Sequence, residues 1–417
     1  MTGLSTAYAL EQQGWHDYVV LESKNRAGGL CASTQQNGYR FDFGGHLLHL
    51  HTKTGKHLVQ TLLKNNLKKH NRHAFIYTNG MQVPYPFQQN LWALHDELKS
   101  LCAEELKRGL PLSNIPPAHF EEWCLRQFGY VLYETFFRPY NEKLWGRPLH
   151  ELSYDWCNPF VPAPSSKEIW QSLRTKPHAK QGYNATFYYP KQGGIGALID
   201  ALIQQVPNIR LGTPATRIDL AHKRVWTPQA VYCFEHLVNT IALPNFVQLL
   251  DNEPTLKQAA ALLQAQPVSV YHVAIARQVP HFSWIYFPDP AQPFYRVGLQ
   301  SGFAPDAVPA KDISLFYVEI SGNCPQTPVT EQLIWAGLHQ KGLVPLEDIK
   351  LFSTWQHIPQ AYVIFNKQRA QAVPFLLSEL EKRHVFCAGR YGKWEYSFME
   401  RSLVEGQQLA QKLAKLV

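Results

Sequence analysis

The sequence predicts an α/β protein in which a Rossmann-like nucleotide-binding domain is assembled from separated stretches of the chain and carries an inserted α+β domain. Three observations point to this fold class. A helix followed by a strand and an acidic residue opens the chain, strand-like segments recur in its second half, and a strand, a glycine turn and a helix close it. The 417 residues are enough for two or three packed units.

The composition indicates a globular protein with anionic partners. Hydrophobic residues make up 45% of the chain and charged residues 17%, which excludes a disordered polypeptide. The net charge of +8 favours nucleotides or phosphorylated small molecules as ligands. Because the basic residues are dispersed along the chain, no nucleic-acid partner is predicted.

Cysteine usage and hydropathy bear on the cellular location. The 7 cysteines are scattered and include no Cys-x-x-Cys pair, which favours reduced thiols and a cytoplasmic protein over a disulfide framework or a zinc site. No apolar run reaches the ~18 residues that a membrane span needs, and no charged-then-apolar leader opens the sequence. We therefore expect no integral membrane segment and no signal peptide.

The first predicted element is a small-residue helix over residues 3–10, which Gly14 ends. Residues 18–21 follow as a buried strand, with Glu22 at its C-terminal end. A glycine that opens a helix and an acid about 20 residues later form the second half of a dinucleotide-binding fingerprint. The first half needs a preceding strand and two more glycines, so we expect the true start to lie upstream of Met1. The alternative is that this strand is missing, which would leave the edges of its neighbours open.

Two glycine doublets come after the acid. Gly28-Gly29 and Gly44-Gly45 leave main chain without a Cβ, which lets it approach a ligand closely. Residues 52–70 are predicted to form a helix that ends in a basic, solvated run. Residues 81–90 contain two prolines, which exclude a central strand, and are predicted to form an ordered loop.

The rest of the chain alternates between helical and strand-like segments. Residues 91–150 are mainly helical, and residues 195–206 form a further helix. Strands are predicted at 209–211, around a hairpin at 223–224, and at 236–240, 269–276, 313–320 and 385–388. After the last strand, Gly389 opens a helix that runs to Val417.

These segments divide the chain into two predicted domains. Residues 1–75, 185–245 and 375–417 form the discontinuous nucleotide-binding domain, and residues 76–184 and 246–374 form the inserted substrate or cap domain.

Several stretches resemble the flavoprotein clan of amine oxidases, protoporphyrinogen oxidases and UDP-galactopyranose mutases, and the detail is greatest for the eukaryotic-type mutases. The resemblance covers nearly the whole chain. The matching stretches are residues 26–30 (RAGGL), 42–46 (DFGGH), 83–88 (VPYPFQ), 138–145 (RPYNEKLW), 284–288 (WIYFP), 293–296 (PFYR) and 389–396 (GRYGKWEY).

On this resemblance the cofactor is FAD. Glu22 would accept hydrogen bonds from the adenosine ribose, Gly3 would seat the pyrophosphate at a helix N-terminus, and Arg26 would pair with that pyrophosphate. We expect FAD to be bound non-covalently, because Cys387 lies on a strand predicted to be buried. The full set of implied cofactor-binding residues is Gly3, Glu22, Arg26, Gly28, Gly29, Gly44, Gly45, His46, Gly389 and Arg390.

The resemblance also implies a small-molecule substrate, with a UDP-sugar as the candidate. Tyr85 and Gln88 would hold the uridine, and Arg296 would grip the diphosphate through its planar guanidinium. Arg296, Tyr286 and Tyr362 are the implied catalytic residues, because the family places such side chains at the diphosphate.

Three functions stay open at this point. The first is an FAD-dependent flavoenzyme that resembles UDP-galactopyranose mutase and acts on a nucleotide-sugar-like anionic substrate in polysaccharide biosynthesis. The second is an FAD-dependent oxidoreductase of the amine oxidase or protoporphyrinogen oxidase type, which takes hydride from a less polar substrate. Phe160 favours it, because the mutases usually have a second diphosphate arginine there. The third is a truncated, flavin-free inactive protein.

A metal site is not predicted. The histidine-rich run at residues 46–51 lacks the carboxylate or cysteine partner that a metal centre needs.

Overall fold

The strands of this protein form one sheet of seven strands and five much smaller sheets, according to a computed structural model that describes residues 1–111, 113–177 and 184–416. This mixed architecture confirms the predicted α/β fold class. The division into domains stays a prediction, and Val417, to which the last helix was predicted to run, lies outside the described residues.

Among the described residues, three strands have eight or more residues and all the others have two to five. In chain order they are β1 (Val20–Leu21), β2 (Ser33–Gln36), β3 (Tyr39–Asp42), β4 (Lys68–Asn71), β5 (Ala74–Thr78), β6 (Met81–Pro84), β7 (Thr186–Tyr189), β8 (Ile209–Arg210), β9 (Arg217–Asp219), β10 (Arg224–Trp226), β11 (Val231–Cys233), β12 (Leu237–Asn239), β13 (Ala265–Ile275), β14 (Trp284–Tyr286), β15 (Arg296–Leu299), β16 (Ser314–Ser321), β17 (Lys350–Val363) and β18 (Val385–Cys387).

The helices lie between these strands and at both ends of the chain. They are α1 (Thr2–Gln12), α2 (Lys53–Leu63), α3 (Asp96–Arg108), α4 (Phe120–Leu132), α5 (Arg138–Trp145), α6 (Cys157–Phe160), α7 (Ser166–Ser172), α8 (Gly196–Ile203), α9 (Leu243–Gln248), α10 (Pro254–Ala260), α11 (Pro328–Gln340), α12 (Lys367–Glu381), α13 (Gly389–Gly392) and α14 (Met399–Leu413). Within the described ranges, no helix has the length and apolar character needed to cross a membrane.

The seven-stranded sheet has the order β17-β13-β16-β15-β14-β5-β6 and is antiparallel except between β14 and β5. Its central strands are buried on both faces, so alternate residues belong to different cores. On β16, Leu315 and Tyr317 join the large core, whereas Phe316 and Val318 join a second core with helix α11. This two-sided burial explains why the strand reads as a continuous apolar run in the sequence.

The part predicted to bind a nucleotide, called the nucleotide-binding part below, contains two separate parallel strand pairs. Strand β1 pairs with β8, and β12 pairs with β18, with no hydrogen-bonded ladder between the two pairs in the described part of the chain. Helices α1 and α14 pack side by side over this region. Their backbones come close because Gly406 faces Ser5, whose hydroxyl donates to the Leu403 carbonyl at 2.7 Å.

Four local predictions are corrected by the structure. The strand predicted at 18–21 is limited to Val20–Leu21, because among the described residues it pairs only with the two-residue strand β8. Both of its residues are partly buried. The helix predicted at 52–70 ends at Leu63, and Lys68–Asn71 instead pairs with β7. Each of these segments is held by a partner that lies far away in the sequence.

The other two corrections concern a loop and a helix start. Part of the loop predicted at 81–90 is the edge strand Met81–Pro84, where a proline is tolerated because it ends an outermost strand. The last helix begins at Met399, and Gly389–Gly392 forms one short turn before it.

Candidate active site

A cavity of about 510 Å³ lies between the nucleotide-binding part and the large-core face of the seven-stranded sheet. Both ends of the chain line it, together with the glycine turns and the sheet. The predicted site residues that line it are Gly3, Glu22, Gly28, Gly29, Gly45, His46, Tyr85, Gln88, Tyr286, Arg296, Tyr362, Gly389 and Arg390. The volume is within the range of roughly 300–1,000 Å³ that small-molecule sites occupy.

One end of the cavity meets the N-terminus of α1. Thr2, Gly3 and Leu4 of its first turn line the wall, and Glu22 follows strand β1 nearby. The first amides of an α-helix have no intrahelical acceptor, so this helix end suits an anionic group. Gly29 has a φ of +58°, and a Cβ at this position would have no neighbour within 4 Å, which leaves room for a ligand beside it.

Gly28 and Gly389 are required by packing as well as by the cavity. A Cβ on Gly28 would lie 2.8 Å from the Ile199 side chain, and a Cβ on Gly389 would collide with Thr2 Oγ1. Both glycines have positive φ values, +107° and +74°. Glycine at these positions therefore lets the turns pack directly against α8 and α1.

Arg390 is held by main-chain carbonyls and lies close to the rings of three tyrosines, Tyr362, Tyr391 and Tyr396. Its Nη atoms donate to the carbonyls of Ser397 and Ala361 at 3.1 and 2.6 Å, and the guanidinium lies 4.9 Å from the ring centroid of Tyr396. Its Nε is buried and has no hydrogen-bond partner among the described residues. Arg390 therefore lines the cavity and carries one buried N–H that no described protein group accepts.

His46 is buried where the glycine turn meets the cavity. Burial is the largest influence on it and lowers the pKa of the imidazole to about 4, so the ring is neutral at pH 7. Its Nδ1 lacks a hydrogen-bond partner within the described residues. A neutral imidazole can donate a hydrogen bond through one ring nitrogen and accept one through the other.

The other end of the cavity is built around Arg296. Its Nε and Nη2 contact the Glu319 carboxylate at 2.9 and 2.7 Å, a cross-strand pair between β15 and β16. Tyr295 donates its hydroxyl to the same carboxylate at 2.5 Å, and the Gly45 amide donates to it at 3.2 Å. Burial is the largest single influence and lowers the pKa of Arg296, but Glu319 and the neighbouring tyrosines together outweigh it and hold this pKa well above its ordinary value.

Tyrosines form most of the wall around this arginine. The rings of Tyr85 and Tyr140 lie 5.5 and 5.1 Å from that of Tyr286, and Tyr362 stacks on Tyr396 at 6.0 Å. Burial raises the pKa of the Tyr85, Tyr286 and Tyr362 hydroxyls, which keeps them protonated. Protonated phenols can donate hydrogen bonds to a ligand in the cavity.

Two further lining residues, Gln88 and Phe160, bear on the substrate prediction. Gln88 is 2% exposed, and its Nε2 donates to the Pro162 carbonyl, so part of its amide already joins two loops. Phe160 lines the cavity and meets Tyr396 edge-on with ring centroids 4.3 Å apart. The position where an arginine was expected therefore adds an aromatic side chain to the wall.

Two predicted cofactor residues do not line the main cavity. Arg26 is exposed and borders a smaller polar cleft with Ser33 and Asp200. Gly44 lies behind the wall, where a Cβ would come within 2.6 Å of Glu319 Oε1. Its φ of +85° and this close approach tie Gly44 to Glu319.

Sequence reasoning missed the role of Glu319 and did not single out Tyr317. Both lie on the predicted strand at 313–320, two residues apart and therefore on the same face. Pairing this strand with the PFYR segment would have placed Glu319 opposite Arg296, since the two are register partners. The sequence shows which residues share a face of this strand, but it does not show which strand pairs with it.

The cysteines near the cavity are protonated. Burial raises the pKa of Cys387 to about 11, and its thiol lies beside Asn239 at 3.5 Å, outside the residues that line the cavity. Burial also raises the pKa of Cys31, which does line the cavity. In the described residues, no group of three or more His, Cys, Asp or Glu side chains is arranged to hold a metal ion.

The family of flavin-containing amine oxidoreductases matches this chain over residues 1–414. The chain therefore belongs to this family and is a flavoenzyme. The cavity residues fit a flavin nucleotide, because a helix N-terminus, glycine turns and two buried, unpartnered nitrogens on His46 and Arg390 surround one space.

Solved structures and a curated protein show more specific similarities. The chain is 25% identical to a UDP-galactopyranose mutase in its reduced form, with a TM-score of 0.94 over 100% of this chain and 92% of that one. A candidate protoporphyrinogen oxidase from Exiguobacterium sp. 255-15 has 17% identity and a TM-score of 0.76, over 100% and 97% of the two chains, and shows the shared fold.

A 47-residue stretch, 11% of this chain, is 49% identical to the uncharacterized protein in the nifH2 3′ region of Methanothermococcus thermolithotrophicus. The match spans 44% of that protein's length.

Proposed function

We propose that the flavin is FAD, bound non-covalently in the cavity. Gly3 in the first turn of α1 would hold the pyrophosphate, Glu22 the adenosine ribose, and His46 and Arg390 the ring system. Non-covalent binding is supported by the buried, protonated thiol of Cys387, which lies outside the cavity wall. Arg26 and Gly44 would act from outside the cavity, by shaping the turns on which the lining residues stand.

We further propose that the enzyme acts on a nucleotide-sugar-like anionic substrate. The observation that carries this is the convergence of Tyr85, Gln88 and Arg296 on the cavity that also holds the flavin-site residues. The similarity to UDP-galactopyranose mutase, at a TM-score of 0.94, supports the same substrate class.

Each substrate residue has a defined task under this proposal. Tyr85 would stack on the uracil ring, and Arg296 would face the diphosphate and stabilise negative charge as it develops there. Tyr286 and Tyr362 would donate hydrogen bonds from their protonated hydroxyls. The bound flavin would supply the redox or covalent chemistry, as cofactors do in such enzymes.

Titration of the flavin-loaded protein with UDP tests this proposal. We expect UDP to bind and to perturb the flavin absorbance. Arg296→Ala should weaken binding about a hundredfold, because truncating one partner of a buried charge contact costs about 3 kcal/mol. Arg277→Ala is the matched control, since Arg277 pairs with Glu347 and Asp348 outside the cavity.

Loss of flavin from the Arg296 variant would make its titration meaningless, so flavin content is measured first by absorbance. Absence of UDP binding to the loaded wild-type protein would contradict the nucleotide-sugar proposal. Equal binding by the wild type and the Arg296 variant would contradict the role of the arginine.

A second candidate function is an oxidoreductase with a less polar substrate. The specific observation in its favour is that Arg296 is already neutralised by Glu319, while Phe160 and several tyrosines line the same wall. Such an enzyme would consume an electron acceptor in proportion to its product. A redox-neutral rearrangement would not, so acceptor stoichiometry separates the two candidates.

A further inference from the structure

The acidic and basic side chains of the described cavity lining balance one another. The acidic side chains are Glu22 and Glu319, and the basic ones are Arg296 and Arg390. His46 and His49 also line the cavity and add no charge at neutral pH, because burial lowers the pKa of both imidazoles to about 4. Near Arg296, a substrate diphosphate would meet a guanidinium whose charge Glu319 offsets, since Glu22 and Arg390 belong to the proposed flavin site.

The two side chains of the Arg296–Glu319 ion pair differ in exposure. The side chain of Arg296 is 21% exposed, whereas that of Glu319 is 3% exposed. A ligand in the cavity therefore reaches the guanidinium first, and the carboxylate stays behind it. Because the pair is buried, salt screens the carboxylate only weakly from the ligand.

Glu319 is unsuited to be a proton acceptor for the substrate. Its two oxygens already accept from Arg296, from the Tyr295 hydroxyl and from the Gly45 amide. The absence of a side chain at Gly44 leaves the space that this carboxylate occupies. These contacts fix the position of the Glu319 carboxylate behind Arg296.

We propose that Glu319 is a specificity-determining residue that sets how strongly the cavity binds phosphate charge. It neutralises Arg296 from behind and repels a diphosphate bound in front, which weakens retention of the diphosphate and favours its release. This inference rests on the proposed function, because it concerns the same substrate site. It adds that the neutral part of the ligand supplies a large share of the affinity.

The test compares uridine, UMP and UDP on flavin-loaded wild type and Glu319→Gln by titration calorimetry. The variant keeps the size of the side chain and removes its charge. We expect UDP to bind at least about tenfold more tightly to the variant, UMP about threefold, and uridine within about twofold of wild type, because the effect scales with ligand charge. Glu331→Gln is the control, since Glu331 pairs with Lys350 away from the cavity.

Unchanged or weaker UDP binding by Glu319→Gln, with wild type binding UDP normally, would overturn the inference and leave the proposed function standing. Failure of UDP to bind either protein would overturn both. If the variant does not retain flavin, the wild-type titrations with uridine, UMP and UDP decide. An affinity that rises more than about tenfold with each added phosphate would contradict the claim that Glu319 neutralises Arg296.

Discussion

The two strand pairs of the nucleotide-binding part differ from the seven-stranded sheet in strand length and in the number of strands joined by hydrogen bonds. The pairs β1–β8 and β12–β18 contain strands of two or three residues. In the large sheet, β13 and β17 reach 11 and 14 residues and lie in a continuous ladder. The sheet joins seven strands in one hydrogen-bonded order, and one of its faces forms a wall of the cavity, whereas the strand pairs are short and separate.

This difference indicates where the fold depends on its ligand. Short strand pairs gain few hydrogen bonds of their own, so we expect a bound flavin nucleotide to contribute a large part of the stability of this region. The long sheet needs no such help. We therefore expect the two regions to respond differently to core truncation, to glycine substitution and to removal of the flavin.

The largest difference should come from matched phenylalanine truncations. Phe316 is 0% exposed on the central strand β16, and Phe386 is 7% exposed on β18. Phe316→Ala should lower the free energy of unfolding by about 4 kcal/mol, and Phe386→Ala by at least ~1 kcal/mol less, because β18 pairs with one three-residue strand and its surroundings can relax more after truncation. Denaturant unfolding of the flavin-loaded proteins measures both values, and equal costs would contradict the proposed contrast.

A smaller effect is expected from two glycine-to-alanine substitutions. Gly80 and Gly389 have nearly the same φ, +72° and +74°, but a Cβ on Gly80 meets nothing within 4 Å. Gly80→Ala should cost about 1 kcal/mol through backbone strain alone and keep full flavin content. Gly389→Ala adds the contact with Thr2 and should lower both stability and flavin occupancy.

Flavin occupancy is read from the ratio of flavin to protein absorbance after gel filtration. If Gly389→Ala retains as much flavin as Gly80→Ala, the turn at Gly389 does not shape the cofactor site.

Much of the fold was predictable from local pattern. The helix before Gly14, the hairpin at 223–224 and the strands near 269–276 and 313–320 each show their own periodicity or turn chemistry, and the structure has them. What sequence could not supply was pairing over long separations. Lys68–Asn71 carries a charged sequence with no strand pattern of its own and becomes a strand because β7 lies beside it.

The site was predictable in part for the same reason. Glycine turns and Arg296 belong to short motifs that can be read directly, and the fold brings most of them to one cavity. Glu319 lies in no such motif, and its importance follows from its register opposite Arg296. Arg26 matched a motif, yet its side chain is exposed and borders a different cleft.

Hydrogen exchange of the flavin-loaded and flavin-stripped protein tests the central claim most directly. We expect removal of the flavin to cut protection in α1 and in strands β12 and β18, while β13 and β16 keep theirs, because local opening follows local stability. Equal loss of protection in both regions, or no loss in either, would contradict the claim that a flavin held by these glycine turns and helix ends stabilises the nucleotide-binding part.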